Sequence, residues 1–128
     1  MKVNWRNPPR QFVVGRSAIR LLHCADVRLE PDELLTFLTP DGSEYDVVCK
    51  EWGYYATPSL GSRLVAQGFM AALVRNRETM RCFVVLVKTS KTSEWESYSQ
   101  SENLEVMAWL HDGKFLESLS GNPSVVQD

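Results

Sequence analysis

The chain has 128 residues, of which 44% are hydrophobic and 23% are charged, and its formal net charge is −2. This length suits one domain with its own hydrophobic core, and the composition is ordinary for a soluble globular protein. The slightly acidic balance excludes a general electrostatic attraction to nucleic acid or to anionic lipid. Neither a nucleic acid nor a membrane is therefore an expected partner.

The cellular setting is inferred from two features of the sequence. The first ten residues contain no apolar segment of the kind that begins a secretory signal, and no apolar run reaches the roughly 20 residues that span a bilayer. Three cysteines without close spacing, Cys24, Cys49 and Cys82, lie in apolar stretches. Together these features predict a cytoplasmic protein whose thiols are reduced and buried.

The first half of the chain predicts strands. Residues 1–10, which include Pro8-Pro9, predict an extended or loosely held arm. Residues 19–30 and 44–50 alternate apolar and polar side chains, which is the period of a strand with one buried face. Residues 34–39 form a further apolar segment, and the turn sequence Pro40-Asp41-Gly42 follows it. The three segments predict an antiparallel meander.

The second half predicts two short helices among three strands. Ser59 is a candidate N-cap of a helix that stops at Gly68, and Ser93 with Glu96 forms a capping box for a second helix of about ten residues. Strands are predicted at 69–74, 82–87 and 104–110. The second of these is apolar on both faces, which is typical of a central strand. Residues 112–128 predict a flexible tail.

The predicted fold class is α+β, with a mainly antiparallel sheet in a single domain spanning residues 1–128. Along the chain, the N-terminal meander is followed by a helix, two strands, a second helix and a last strand. A half-open barrel is the alternative arrangement of the same strands.

An aromatic cluster next to a bend is the strongest candidate site. Trp52, Tyr54 and Tyr55 fall within four residues, and Gly53 allows the backbone to turn between them. One interpretation is that the rings close one end of the core. The other is a ring-lined pocket for a sugar or a nucleobase. Its polar contacts would be Thr57, Ser59, Ser62 and Arg63.

Patterns that indicate catalytic, metal or phosphate chemistry are missing from the sequence. The two histidines, His23 and His111, are far apart, no Cys-x-x-Cys pair occurs, and no glycine-rich phosphate loop is present. No cofactor and no metal are therefore expected. Three arginines near a turn, Arg75, Arg77 and Arg81, are interpreted as a solubilising loop rather than a nucleic-acid contact.

Two other functions stay open. A small enzyme, such as a sugar isomerase, epimerase or lyase, could use His23, Asp46 and Tyr55 if the three side chains converge. A homodimer could pair through an exposed strand edge, with the rings inside the interface.

One long run resembles a known group of proteins. The run Tyr45–Leu60, followed by Arg63-Leu64 and by Ala72–Asn76, resembles short bacterial proteins that have no assigned activity, some of them encoded beside genes for surface-polysaccharide synthesis. The resemblance covers residues 33–111 and implies a link to carbohydrate metabolism but no catalytic residue. Where those proteins have a longer and more charged helix, this chain has Ser-Glu-Trp-Glu-Ser-Tyr.

The sequence therefore favours a non-catalytic binding module or accessory protein over an enzyme. Its expected ligand is a sugar-like molecule, a nucleotide sugar or a partner enzyme of that pathway. The predicted contacts are the seven residues of the aromatic cluster and of the segment after it.

Overall fold

A computed structural model describes residues 1–121. The chain is an α+β protein with antiparallel sheets. It divides into two compact units, Met1–Thr57 and Pro58–Asp128, and each is described by itself below. The sequence, interpreted as a single domain, does not reveal this division. In the described part of the chain the strands form three separate sheets, none of which closes into a barrel.

The first unit begins with a long two-stranded ribbon. Strand β1 (Lys2–Val14) pairs antiparallel with β2 (Ile19–Arg28), and Gly15 opens the turn between them. Of the two alternatives for residues 1–10, the extended one is correct for residues 2–10, which belong to β1, and the loosely held one is wrong. The ladder register shifts between Trp5 and Arg10. This irregularity accommodates Pro8-Pro9, because proline cannot donate a ladder hydrogen bond and is tolerated at bulges.

One face of the ribbon is apolar, as the alternation in β2 predicts. Directly paired residues point to the same side of a sheet. The cross-strand pairs Val3–Val27, Trp5–Ala25, Phe12–Leu21 and Val14–Ile19 therefore share a face, together with the pair Arg10–His23. All ten of these side chains are half-buried or exposed, and none is buried.

The rest of the first unit is a three-stranded meander. It contains β3 (Leu34–Leu38), β4 (Glu44–Lys50) and β5 (Gly53–Ala56), with β4 in the middle. The predicted meander contained β2 in place of β5. In the structure β2 belongs to the ribbon, and the third strand comes from the aromatic segment. Only Val48 and Cys49 of this sheet are buried.

The second unit is built on a sheet whose central strand is β6. Strand β6 (Phe69–Asn76) lies between β7 (Cys82–Lys88) and β8 (Leu104–Trp109), and both pairings are antiparallel. The prediction that the apolar segment 82–87 is central is wrong, because β7 is an edge strand whose first three residues are exposed. Strand β6 carries four buried apolar side chains, Phe69, Ala71, Ala72 and Val74.

Three helices accompany this sheet. Helix α1 (Arg63–Ala66) precedes β6, and α2 (Thr92–Ser101) follows a short 3-10 turn at Thr89–Lys91 and connects β7 to β8. The N-cap of α2 is Lys91 and makes no side-chain capping bond, so the predicted capping box is not formed. Helix α3 (Gly113–Leu119) is capped by Asp112, whose carboxylate accepts a bond from the Lys114 amide at 3.0 Å. The predicted tail at 112–128 is thus helical at 113–119, and residues 122–128 lie outside the described part.

The structure also tests the prediction about the cysteines. Cys49 is buried, but Cys24 and Cys82 are exposed, so the prediction of three buried thiols is wrong for two of them. Both exposed thiols are on strands that have a partner on one side only. Apolar neighbours in the sequence do not ensure that a side chain on such a strand is buried. Within residues 1–121, no helix is long and apolar enough to cross a membrane.

The bend between α1 and β6 requires glycine. Gly68 has a φ of +85°, and its carbonyl accepts a hydrogen bond from the Thr89 amide at 2.9 Å. A side chain costs about 1–2 kcal/mol in this left-handed region. We expect Gly68→Ala to lower the free energy of unfolding by about that amount in urea titrations of the full chain.

The same substitution at Gly113 is the matched control. Gly113 is the first residue of α3, and a Cβ built there meets no atom within 4 Å. Gly113→Ala should leave the stability unchanged or raise it slightly, because alanine is favoured in helices. Equal effects of the two variants would contradict the conformational argument at Gly68.

Candidate functional site

Two rings of the aromatic cluster form an exposed stacked pair. Trp52 lies in the turn between β4 and β5, and Tyr55 lies on β5 opposite Val48. Their ring centroids are 6.1 Å apart and their planes differ by 21°. Trp52 is 70% exposed and Tyr55 is also exposed, so these rings do not close the end of a core. The turn is made by Gly53, whose φ of +141° is unfavourable for other residues.

A charged rim lies beside the stacked pair. A concavity of about 170 Å³ is lined by Trp52 and by Pro31, Asp32, Lys50 and Glu51. The Lys50 ammonium forms a close ion pair with the Asp32 carboxylate. The hydrogen bond and the charge of Asp32 raise the pKa of Lys50. The rim therefore offers a lysine that stays charged at neutral pH and two carboxylates.

The third ring of the cluster points the other way. Tyr54 pairs with Cys49 and Tyr55 pairs with Val48, so the two tyrosines are on opposite faces of the meander. Tyr54 is itself 63% exposed. Thr57 follows β5 and is half-buried, and its amide donates to the Asp46 carbonyl at 3.0 Å. The structure therefore brings Trp52 and Tyr55 together and separates Tyr54 from them.

The remaining predicted contacts belong to the second unit. The Ser59 hydroxyl accepts a hydrogen bond from the Arg63 amide at 3.2 Å and also bonds to the Ser62 hydroxyl. Ser59 thus stabilises the approach to α1, but the helix begins at Arg63 and is a single turn of four residues. The seven predicted site residues are divided between the two units, with Trp52, Tyr54, Tyr55 and Thr57 in the first.

The three candidate catalytic residues have different partners within the first unit. His23 lies in the ribbon, and its Nε2 is 2.8 Å from Asp26 Oδ1. The Arg10 guanidinium is within 3.3–3.4 Å of His23 Nδ1. Because arginine only donates, Nδ1 accepts and the proton is on Nε2. Asp46, in the meander, accepts a 2.6 Å bond from the Thr36 hydroxyl. Tyr55 stacks on Trp52.

The histidine is therefore fully engaged in a structural network. Arg6 also contacts Asp26, at 2.8 Å. Desolvation alone would raise the pKa of Asp26, but the hydrogen bond from His23 and the charge of Arg6 outweigh it and hold that pKa below its ordinary value. A histidine with both ring nitrogens bonded in this way has no free lone pair for a substrate proton. The geometry thus gives His23 a positioning role in the ribbon.

A second concavity lies in the other unit and was missed from the sequence. It has a volume of about 540 Å³ and is lined by Met70, Trp109, His111 and Asp112. The His111 ring meets the Trp109 ring edge-on, with centroids 5.6 Å apart, and its Nδ1 is buried without a hydrogen-bond partner among the described residues. The sequence Trp-Leu-His-Asp at the end of a predicted strand is the signal that could have indicated it.

Comparisons with other proteins do not add a function. No protein-family model, curated protein or solved structure matches the chain. Within residues 1–121, no three histidine, cysteine, aspartate or glutamate side chains are grouped so that they could hold a metal ion.

Proposed function

We propose that this protein is a non-catalytic binding module for a sugar-like ligand, and that the Trp52–Tyr55 pair is its platform. The observation that carries the proposal is the exposure of two stacked rings beside a charged concavity. Two adjacent exposed rings form a contiguous apolar surface rather than a singly exposed residue, and such surfaces rimmed by polar groups are typical of ligand-binding sites. A sugar ring has an apolar face that can cover Trp52 and hydroxyls that can reach the rim.

The size of the concavity favours one ring over a larger ligand. Its volume of about 170 Å³ is below the roughly 300–1,000 Å³ of clefts that enclose drug-sized molecules. A single sugar unit, free or at the end of a nucleotide sugar or glycan, is the ligand that matches. Its hydroxyls would accept from Lys50 and donate to Asp32 and Glu51, which provide charge-assisted hydrogen bonds.

Binding without catalysis is also the better match to the side chains present. The charged groups at the rim are one ion pair and one glutamate, and His23 is bonded at both ring nitrogens. A sugar isomerase, epimerase or lyase needs an acid or base that is free to exchange a proton with its substrate. We propose an accessory role in the cytoplasm of a bacterium, next to an enzyme of carbohydrate metabolism.

The neighbouring tyrosines provide a matched test. We expect Trp52→Ala and Tyr55→Ala to weaken binding at least tenfold, because stacking area is lost, while Tyr54→Ala on the opposite face leaves it within about twofold. The measurement is a two-dimensional NMR titration of the full chain with monosaccharides and nucleotide sugars. Far-UV circular dichroism of each variant checks that the fold is kept.

The residues whose NMR chemical shifts change during the titration decide whether the platform is accepted or rejected. Shifts at the Trp52 indole N–H and at residues 50–55 support the proposal. Shifts confined to Trp109 and His111, or equal losses in the Tyr54 and Tyr55 variants, would reject the platform. Indifference of residues 50–55 to every sugar and nucleotide sugar at millimolar concentration would also reject it.

A further inference from the structure

The concavity at the end of β8 is built by one tight turn of the second unit. Trp109 ends β8, and the Leu110 amide continues the ladder by donating to the Ala71 carbonyl at 2.8 Å. The Asp112 amide then donates back to the Trp109 carbonyl at 3.3 Å, which closes a β-turn. The turn sets the His111 ring against Trp109 and puts Asp112 at the start of α3.

The packing of His111 alone does not account for a histidine at this position. Its Nδ1 is buried without a hydrogen-bond partner among residues 1–121, and its Nε2 has no partner there either. An unpaired buried nitrogen is unfavourable, and a phenylalanine could make the same edge contact with Trp109 without that loss. Because the ring is half-buried and Nδ1 is at its buried edge, Nε2 is the nitrogen that a ligand can reach.

Asp112 brings a negative charge to the same concavity. Its Oδ1 accepts a hydrogen bond from the Lys114 amide and caps α3. Within the described part of the chain, no lysine or arginine side chain lies within ion-pair distance of this carboxylate. Asp112 is exposed, so its second oxygen, Oδ2, is available to a cation from outside the chain.

The rest of the lining is apolar. Met70 comes from the central strand β6 and Trp109 from β8, and both are half-buried. The volume of about 540 Å³ falls within the roughly 300–1,000 Å³ of clefts that hold small molecules. An apolar wall beside a carboxylate without a cation suits a ligand that joins an apolar body to a positive charge. A tryptophan also attracts a cation through its ring.

We propose that this concavity binds an organic amine, whose apolar body covers Met70 and Trp109 and whose ammonium donates to Asp112 and to His111 Nε2. An ammonium has three donors, so it can bond to a carboxylate and to an imidazole at once. With the imidazole proton on Nδ1, Nε2 is the acceptor. An anionic ligand is repelled by Asp112, and a neutral one leaves its charge without a partner. The site lies in the second unit, so its test is independent of the sugar platform in the first.

Three probes with the same apolar body test the role of charge. Phenylethylammonium, phenylethanol and phenylacetate each carry a phenyl ring and are cationic, neutral and anionic. In two-dimensional NMR titrations of the full chain, we expect the ammonium to shift the Trp109 indole N–H and the amides of residues 110–112. The alcohol should bind at least tenfold more weakly, because it lacks the charge-assisted bond, and phenylacetate should not bind. Equal affinities for the ammonium and the alcohol, tighter binding of phenylacetate, or no shifts at 109–112 with millimolar ammonium would overturn the proposal.

Substitutions at the two polar residues test the contacts. Asp112→Asn removes the charge and keeps the cap, because asparagine caps helices as well as aspartate does. It should weaken binding of the ammonium at least tenfold and leave that of the alcohol within about twofold. His111→Phe keeps an aromatic edge against Trp109 and removes both nitrogens, and it should weaken the ammonium several-fold. Far-UV circular dichroism checks that each variant keeps the fold.

Glu117→Gln is the matched control, since it removes one exposed carboxylate from the same helix outside the concavity. It should leave the affinity for the ammonium within about twofold. Unchanged affinity in either the Asp112 or the His111 variant, or equal losses in the Asp112 and Glu117 variants, would contradict the amine site.

The same titration separates two sources of the amine. Acetyl-lysine methylamide represents the side chain of a protein partner, whereas phenylethylammonium represents a free amine. Shifts at 109–112 with either probe, lost in Asp112→Asn, support the site, and the tighter of the two identifies the source.

Discussion

Replacing Leu64 with alanine is expected to lower the free energy of unfolding of the second unit by about 2–5 kcal/mol. Leu64 is the inward-facing residue of the single-turn helix α1 and is 0% exposed. The substitution removes three carbon atoms from a closed environment and leaves a cavity. A helix of four residues gains almost nothing from its own hydrogen bonds, so Leu64 is what holds it against the unit.

Leu119→Ala is the control for this experiment. Leu119 ends α3 and is exposed, so the same atoms are removed without leaving a cavity. Urea unfolding of the full chain should show a loss below about 1 kcal/mol for this variant. Amide hydrogen exchange in β6 should rise in the Leu64 variant alone. A loss below about 1 kcal/mol in that variant would contradict the assignment of Leu64 to the core.

Replacing Ala72 with aspartate is expected to prevent the second sheet from forming at neutral pH. Ala72 is buried on the central strand and pairs with Val85 on one side and Trp109 on the other. A carboxylate there would lose its hydration without gaining a cation, which costs several kcal/mol. That is comparable to the total stability of a small unit.

The matched variant for this prediction is Ala56→Asp, on the exposed edge strand β5. It should change stability by at most about 1 kcal/mol, which is the range of strand preferences. The measurement is the dispersion of amide signals in the NMR spectrum, which collapses for β6–β8 only in the Ala72 variant. Retained dispersion of those signals would show that β6 is not the buried strand.

The sequence predicted those strands whose alternation of apolar and polar side chains can be recognised within the segment itself. Residues 44–50 form β4 with the predicted bounds, and the alternation of Ile19, Leu21, Ala25 and Val27 identified the apolar face of β2. In both segments one face differs from the other at every second residue, and this difference can be detected without knowledge of the partner strand. The fold class followed from the order of such segments.

The predictions that failed depend on which strands become neighbours. The residues of β7 are more uniformly apolar than those of β6, yet β6 is central because it is paired on both sides. The prolines of β1 suggested an arm, since the sequence does not show that a bulge can hold them. Tyr54 and Tyr55 looked like one cluster, but a strand that begins at Gly53 directs them to opposite faces. None of these outcomes can be deduced from a single segment.

The order β7–β6–β8 has a consequence for synthesis on the ribosome. The middle strand is made first and the adjacent hairpin closes with β7, but the other edge of β6 stays open until residues 104–109 emerge. During that interval a row of backbone donors and acceptors is available to any extended chain nearby. Chains translated close together on one messenger would be the most exposed to mispairing, and the interval ends only when β8 pairs with β6.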